Sequence, residues 1–203
     1  MNPSRLLAFG AATLVAAAVV AGCGSDNRGS GTVPRAGEGA SAPSSSAAPG
    51  GSAPRVGEPL NTSTLSSDPC SAVSASKLSE LGLADGTSRE SAVGPSCYWK
   101  QTAADANRVD LTANPKNTNG LSDIYDQKAE FAYFEETQVA GYPAVYASDA
   151  DQRSSGDCTL HVGVTDQLAV QVSTQFLREP DKANPCPVAE KVAVAMVETL
   201  KGG

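Results

Sequence analysis

Residues 68–203 of this 203-residue chain predict a single α+β domain: an antiparallel sheet of about five strands, about three helices packed on it, and two disulfides. Three observations lead there. Short runs of period-two alternation are separated by few helical stretches, too few to serve as crossovers in a parallel sheet. Four cysteines, Cys70, Cys97, Cys158 and Cys186, are spread through the segment. A segment of this length buries enough surface to stand alone as one domain.

The elements follow in order. Residues 69–82 predict a helix, with Val73, Lys77, Leu78 and Leu81 at helical spacing and Gly82 as its stop. Cys97-Tyr98-Trp99-Lys100 predicts a short strand. Arg108–Ala113 predicts a second, because Val109 and Leu111 alternate with Asp110 and Thr112. Residues 121–134 suit a helix carrying Leu121, Ile124, Tyr125, Lys128 and Phe131 on one side. Gln138–Ala147 predicts a strand with Gly141 and Pro143 inside it, which points to an edge or a bulge. Then Cys158, Leu160, Val162 and Val164 alternate with Thr159, His161 and Gly163, and Leu168, Val170 and Val172 alternate with Ala169, Gln171 and Ser173. A three-residue connection, Thr165-Asp166-Gln167, pairs Val164 with Leu168, Val162 with Val170 and Leu160 with Val172; a two-residue turn would put the apolar sets on opposite faces. Pro185–Leu200 predicts an amphipathic helix, with Val188, Val192 and Ala195 in line and Met196 and Leu200 beside them. The expected order is α-β-β-α-β-β-β-α.

Upstream of the domain the chain is organised differently. Residues 1–22 have the parts of a secretory signal: Arg5, an apolar run from Leu6 to Val20, and small residues at its end. The run is short for a membrane span. Val20-Ala21-Gly22-Cys23 looks like a bacterial lipobox, which implies cleavage before Cys23 and diacylglyceryl attachment to its thiol. Acyl chains contribute about 0.8 kcal/mol per buried CH₂, so two or more anchor a chain stably. Residues 23–67 are then the lipidated cysteine and a Gly/Ala/Ser/Pro tether. Runs such as Ser41-Ala42-Pro43-Ser44-Ser45-Ser46 bury too little to offset ordering entropy. Such a coil would reach roughly 35–40 Å.

Charge narrows the partners. The whole chain carries a formal net charge of −7, and residues 68–203 hold 11 basic against 19 acidic side chains. That surface repels phosphate backbones, so nucleic acid is disfavoured. With Cys23 assigned to lipid, the four remaining cysteines of an exported domain predict two disulfides. Three connectivities exist. Cys70–Cys97 with Cys158–Cys186 is preferred, since each pair joins a helix start to a strand and the separations nearly match. Asp68-Pro69-Cys70 and Asn184-Pro185-Cys186 are near copies of one helix-start signal. No CxxC occurs and His161 is the single histidine, so no metal is expected.

This ordered set, from Asp68-Pro69-Cys70 through Cys97-Tyr98-Trp99 and Val139-Ala140-Gly141-Tyr142-Pro143-Ala144-Val145 to the Cys-led strand pair and Pro185-Cys186, resembles the actinobacterial lipoproteins that carry domain-of-unknown-function family 3558. The resemblance implies a lipidated, disulfide-bonded envelope domain and supplies no catalytic residues.

Candidate chemistry is sparse. His161 falls on the face opposite the apolar set, across from Gln171, and catalysis would require a nucleophile and an orienting carboxylate beside it. No GxSxG elbow is present. Asp149-Ala150-Asp151 and Asp157 form an acidic loop, but Arg153, Ser154 and Leu160 stand where a calcium loop needs ligands or glycine. Glu135 and Glu136 are adjacent and do not converge if helical. Tyr98, Trp99, Tyr142 and Tyr146 read as core or cover, and the small residues Thr159, Gly163, Ala169 and Ser173 as a face against which one of the domain's own helices packs.

The expectation is therefore a non-enzymatic binding or accessory module on the outer face of the cytoplasmic membrane. It has no cofactor, and its partners are the membrane through Cys23 and an envelope protein or small ligand. An envelope hydrolase using His161 with an acidic partner is the first alternative. A purely structural lipoprotein is the second.

Overall fold

The structure, a computed structural model, describes residues 51–202. Cys23, the signal segment and residues 24–50 of the expected tether lie outside the described residues. No helix among the described residues is long and apolar enough to cross a membrane.

The architecture is α+β, as the alternation predicts, but the sheet has seven strands instead of about five. They are β1 (Thr87–Glu90), β2 (Pro95–Lys100), β3 (Arg108–Ala113), β4 (Tyr133–Val139), β5 (Tyr142–Ser148), β6 (Asp157–Thr165) and β7 (Leu168–Gln175). Every pairing is antiparallel and the order is β1-β2-β3-β7-β6-β5-β4. Four α-helices accompany it: α1 (Ser63–Ser67), α2 (Ala75–Glu80), α3 (Ser122–Tyr125) and α4 (Cys186–Lys201).

Two strands escape the period-two pattern for different reasons. β1 is exposed at every position, so burial imposes no alternation on it. β4 and β5 are two strands where Gln138–Ala147 predicts one. Ala140 and Gly141 both adopt positive φ, 49° and 87°, and Val139 pairs with Tyr142 across them. That is a two-residue hairpin turn, which needs positive φ at both central residues. Pro143 is tolerated because the pairing of β5 with β6 begins only at Ala144.

The predicted helices are also shorter. Over 69–82 the chain makes a 3₁₀ turn, Pro69–Ala72, then an extended Val73, then α2. Val73 is buried and Ser74 accepts a hydrogen bond from Lys77 N, so α2 starts afresh at Ser74. Neither Asp68 nor Asn184 makes the side-chain cap that the helix-start signal implies. Over 121–134 only α3 and a 3₁₀ turn, Lys128–Glu130, are helical, and Tyr133 and Phe134 already pair with Ser148 and Ala147. Aromatic residues at 131–134 thus serve the sheet, where cross-strand packing outweighs helical spacing.

The β6–β7 register is Leu160 opposite Val172 and Val162 opposite Val170, as the pattern requires. The connection differs. Thr165 pairs with Leu168 across a two-residue turn, and an irregularity between Gly163 and Thr165 restores the alternation.

One sheet face carries the main core. Leu160, Val162, Val164, Val170, Val172, Leu111, Val109 and Trp99 form one buried cluster with α4, whose Ala189, Val192, Ala193, Met196, Val197 and Leu200 are all buried, and the Pro69–Ala72 turn covers its β2–β3 end. The two disulfides tie this layer down. Cys70, in the 3₁₀ turn, joins Cys97 of β2, and Cys186, the first residue of α4, joins Cys158 of β6, the connectivity preferred from spacing.

The ordered fold begins earlier than residue 68. Val56, Leu60 and Leu65 are buried in the same core, and Ser63–Ser67 forms α1. Residues 51–62 run as a strap held by Leu60 N to Val164 O at 3.0 Å, Val56 N to Asp166 Oδ1 at 3.0 Å and Tyr142 Oη to Glu58 O at 2.8 Å. Three apolar side chains spread over ten residues have no period to announce them, but each finds an apolar site on the sheet. The expected boundary at residue 68 is corrected accordingly.

Candidate functional site

The second face of the sheet divides in two. The connection from β3, mid-sheet, to β4, at the edge, must pass β7, β6 and β5. It crosses this face, burying Leu121 and Ile124 against Val145, Ala147 and Ala169. Gly163 faces Val56, Leu121 and Pro143 at the distances of ordinary packing around an absent Cβ. So the small-residue face of Thr159, Gly163, Ala169 and Ser173 is covered at its Gly163–Ala169 end by the strap and this crossing. Its Thr159–Ser173 end is not.

There the strand pairings set polar side chains in rows. Asp157 lies opposite Gln175, and Gln175 opposite Arg108. Thr159 lies opposite Ser173, and Ser173 opposite Asp110, whose other neighbour is Tyr98. His161 lies opposite Gln171, and Gln171 opposite Thr112. The face is a lattice of hydroxyl, amide and charged groups. Neighbours stand about 4.8 Å apart across strands and about 7 Å along them. At the β1–β3 end Asp110 is nearly buried between two cations. Arg89 bonds its Oδ1, and Arg108 Nε lies 3.0 Å from Oδ2 without hydrogen-bond alignment. Burial raises the Asp110 carboxyl above its usual range, while Arg108 and Arg89 pull it down. Both guanidinium groups also stand beside the Tyr98 ring, at 5.6 and 5.8 Å.

At the β6 end the face is hollowed into a cleft of about 260 Å³ between β6–β7 and the 148–152 loop. Tyr133, Asp149, Asp157, Thr159, Gln171 and Ser173 are among its walls. Tyr133 Oη accepts from Thr159 N at 3.2 Å, and the Arg153 guanidinium covers the Tyr133 ring at 4.1 Å. Arg153 also bonds Asp151 and Glu135, so two of the carboxylates noted in the sequence form one surface ion-pair network. Among the described residues no group of three His, Cys, Asp or Glu side chains is placed to hold a metal ion. A second hollow, of about 430 Å³, lies between α2 and α4 on the opposite side of the sheet, with Leu81 and Val194 in its floor.

His161 sits under the crossing segment with 9% of its surface exposed. Burial lowers its pKa to about 4 against a favourable backbone contact with Ala147. Among the described residues no carboxylate hydrogen-bonds to it, so the pairing that the hydrolase alternative requires is not assembled. Ser96 bonds Arg89, accepting from its Nε and donating to its carbonyl oxygen. Tyr142 and Tyr146 face the α4 side, where Tyr146 Oη donates to Glu190 at 3.1 Å. The alternation pairs β6 with β7, but the lattice is not legible in the sequence because no local pattern sets β3 and β2 beside β7.

A family model described as "Protein of unknown function (DUF3558)" matches residues 18–199. The chain belongs to that family. No curated protein and no solved structure matches the chain. In this DUF3558 chain the cysteines and the Val139–Val145 hairpin that carried the resemblance are the staples and one edge of the sheet. The polar lattice lies on the face away from both disulfides.

Proposed function

We propose that the protein is a lipid-anchored module of the cell envelope, held on the outer face of the cytoplasmic membrane through Cys23, that binds a partner or ligand without catalysing a reaction. The pair of disulfides carries this reading. Cys70–Cys97 fastens the N-terminal part of the core to β2, and Cys158–Cys186 fastens α4 to β6. Such bonds persist in exported proteins and are rare in a reducing cytosol. The Cys23 motif directly after the apolar run supplies the means of attachment. A binding role is supported by a polar face left open beside an otherwise well-covered sheet. Among the described residues no carboxylate hydrogen-bonds to His161.

Replacing Cys23 tests the anchor. In producing cells, Cys23→Ala is expected to abolish incorporation of labelled fatty acid and to shift the chain out of the detergent-extracted membrane fraction. Unchanged lipid labelling in Cys23→Ala would overturn the assignment.

A further inference from the structure

We propose that the cleft between β6–β7 and the 148–152 loop binds a neutral, hydroxyl-rich ligand, a saccharide unit of an envelope glycan. Its walls present Thr159, Gln171, Ser173, Asp157 and Tyr133, with Gln175 at the rim. Among the described residues the side chains of Gln171, Ser173, Gln175 and Asp157 hydrogen-bond to no other protein group, and Thr159 reaches only Tyr133. Asp157 agrees with this: burial alone acts on its carboxyl, raising its pKa.

Chemistry separates the ligand classes. Asp149 and Asp157 line the cleft and no Lys or Arg does, which disfavours an anion. No metal-holding group of side chains is present among the described residues. A protein partner would require an apolar centre, and these walls offer little besides Ala150 and the already covered Tyr133 ring. What remains is a set of groups that both donate and accept. Amides and hydroxyls do so, and a carboxylate takes two hydroxyl donors at once. The sheet spaces them at about 4.8 and 7 Å, the scale over which hydroxyls are spread on a sugar ring and its neighbour.

The proposal rests on the envelope reading for the kind of glycan within reach. Its test does not depend on that reading. The full-length chain, purified in detergent, is titrated with the linear β-1,4 tetramer of N-acetylglucosamine and followed by saturation-transfer NMR. Saturable binding is expected, weakened at least tenfold by Gln171→Ala with Ser173→Ala and unchanged by Lys77→Ala on the opposite side of the sheet. Gln171 and Ser173 are partly exposed, so the double variant is expected to fold, and an unchanged thermal midpoint verifies this. No saturable binding by the wild-type chain, or binding indifferent to the cleft variant, overturns the proposal. Either result leaves the Cys23 assignment standing, because that is read from lipid labelling.

Discussion

His161 makes the stability of the domain depend on pH in a calculable way. Its pKa falls from the ordinary imidazole value of 6.5 to about 4 because the ring is enclosed beneath the 114–132 crossing. A base whose folded pKa is depressed binds its proton more tightly when unfolded. The neutral form's stability is therefore fully present above pH 6.5 and drains away as pH falls toward 4. The displacement corresponds to roughly 3 kcal/mol in full, of which about 2 kcal/mol is lost by pH 5. Asp110 acts in the opposite sense, since its raised pKa favours protonation in the fold. A comparison with His161→Gln cancels that contribution, which both proteins share. Urea unfolding at pH 7.5 and pH 5.0, with disulfides intact, gives the difference. The gap between wild type and variant is expected to move by about 2 kcal/mol in the variant's favour on acidification. Parallel pH dependences would refute the burial argument.

Three further outcomes follow from the packing. Replacing Cys70 and Cys97 together by Ala removes a bridge spanning 27 residues and is expected to lower the unfolding free energy by about 3–4 kcal/mol in denaturant titration. Gly86 lies on that bridge: a Cβ there would stand 2.6 Å from Cys97 Sγ and Trp99 Nε1 and 2.8 Å from Cys70 Sγ. Gly86→Ala is expected to cost about 1–3 kcal/mol, seen as a lower thermal midpoint. Asp166→Ala removes the acceptor for Val56 N and the partner of Arg55. It is expected to loosen the strap by about 1 kcal/mol and to speed proteolytic cleavage within residues 51–60, with little effect on the global midpoint.

The sequence was most legible where large apolar side chains alternate strictly with small or polar ones. The apolar alternation in β6 and β7 placed Leu160 with Val172 and Val162 with Val170, and α4 announced itself by its stripe. It was least legible where tertiary context decides. Ala140-Gly141 reads as strand interior until both residues are seen at positive φ. Phe131, Tyr133 and Phe134 fit a helix by spacing, but they pack on or pair with the sheet. Val56, Leu60 and Leu65 are diluted among Pro, Ser and Gly, so a composition argument assigns them to a coil although they are buried. Of the candidate site, the cysteine pairs were readable from spacing. The lattice was not, because Asp110, Thr112, Gln171 and Thr159 become neighbours only once β3, β7 and β6 lie side by side.

The most direct test of the envelope assignment is the intact mass of the native chain recovered from producing cells. The account predicts a membrane-extracted species that begins at Cys23, carries a diacylglyceryl group, and lacks the four thiol hydrogens of Cys70, Cys97, Cys158 and Cys186. A soluble species that begins at Met1 with four free thiols in its domain would contradict it.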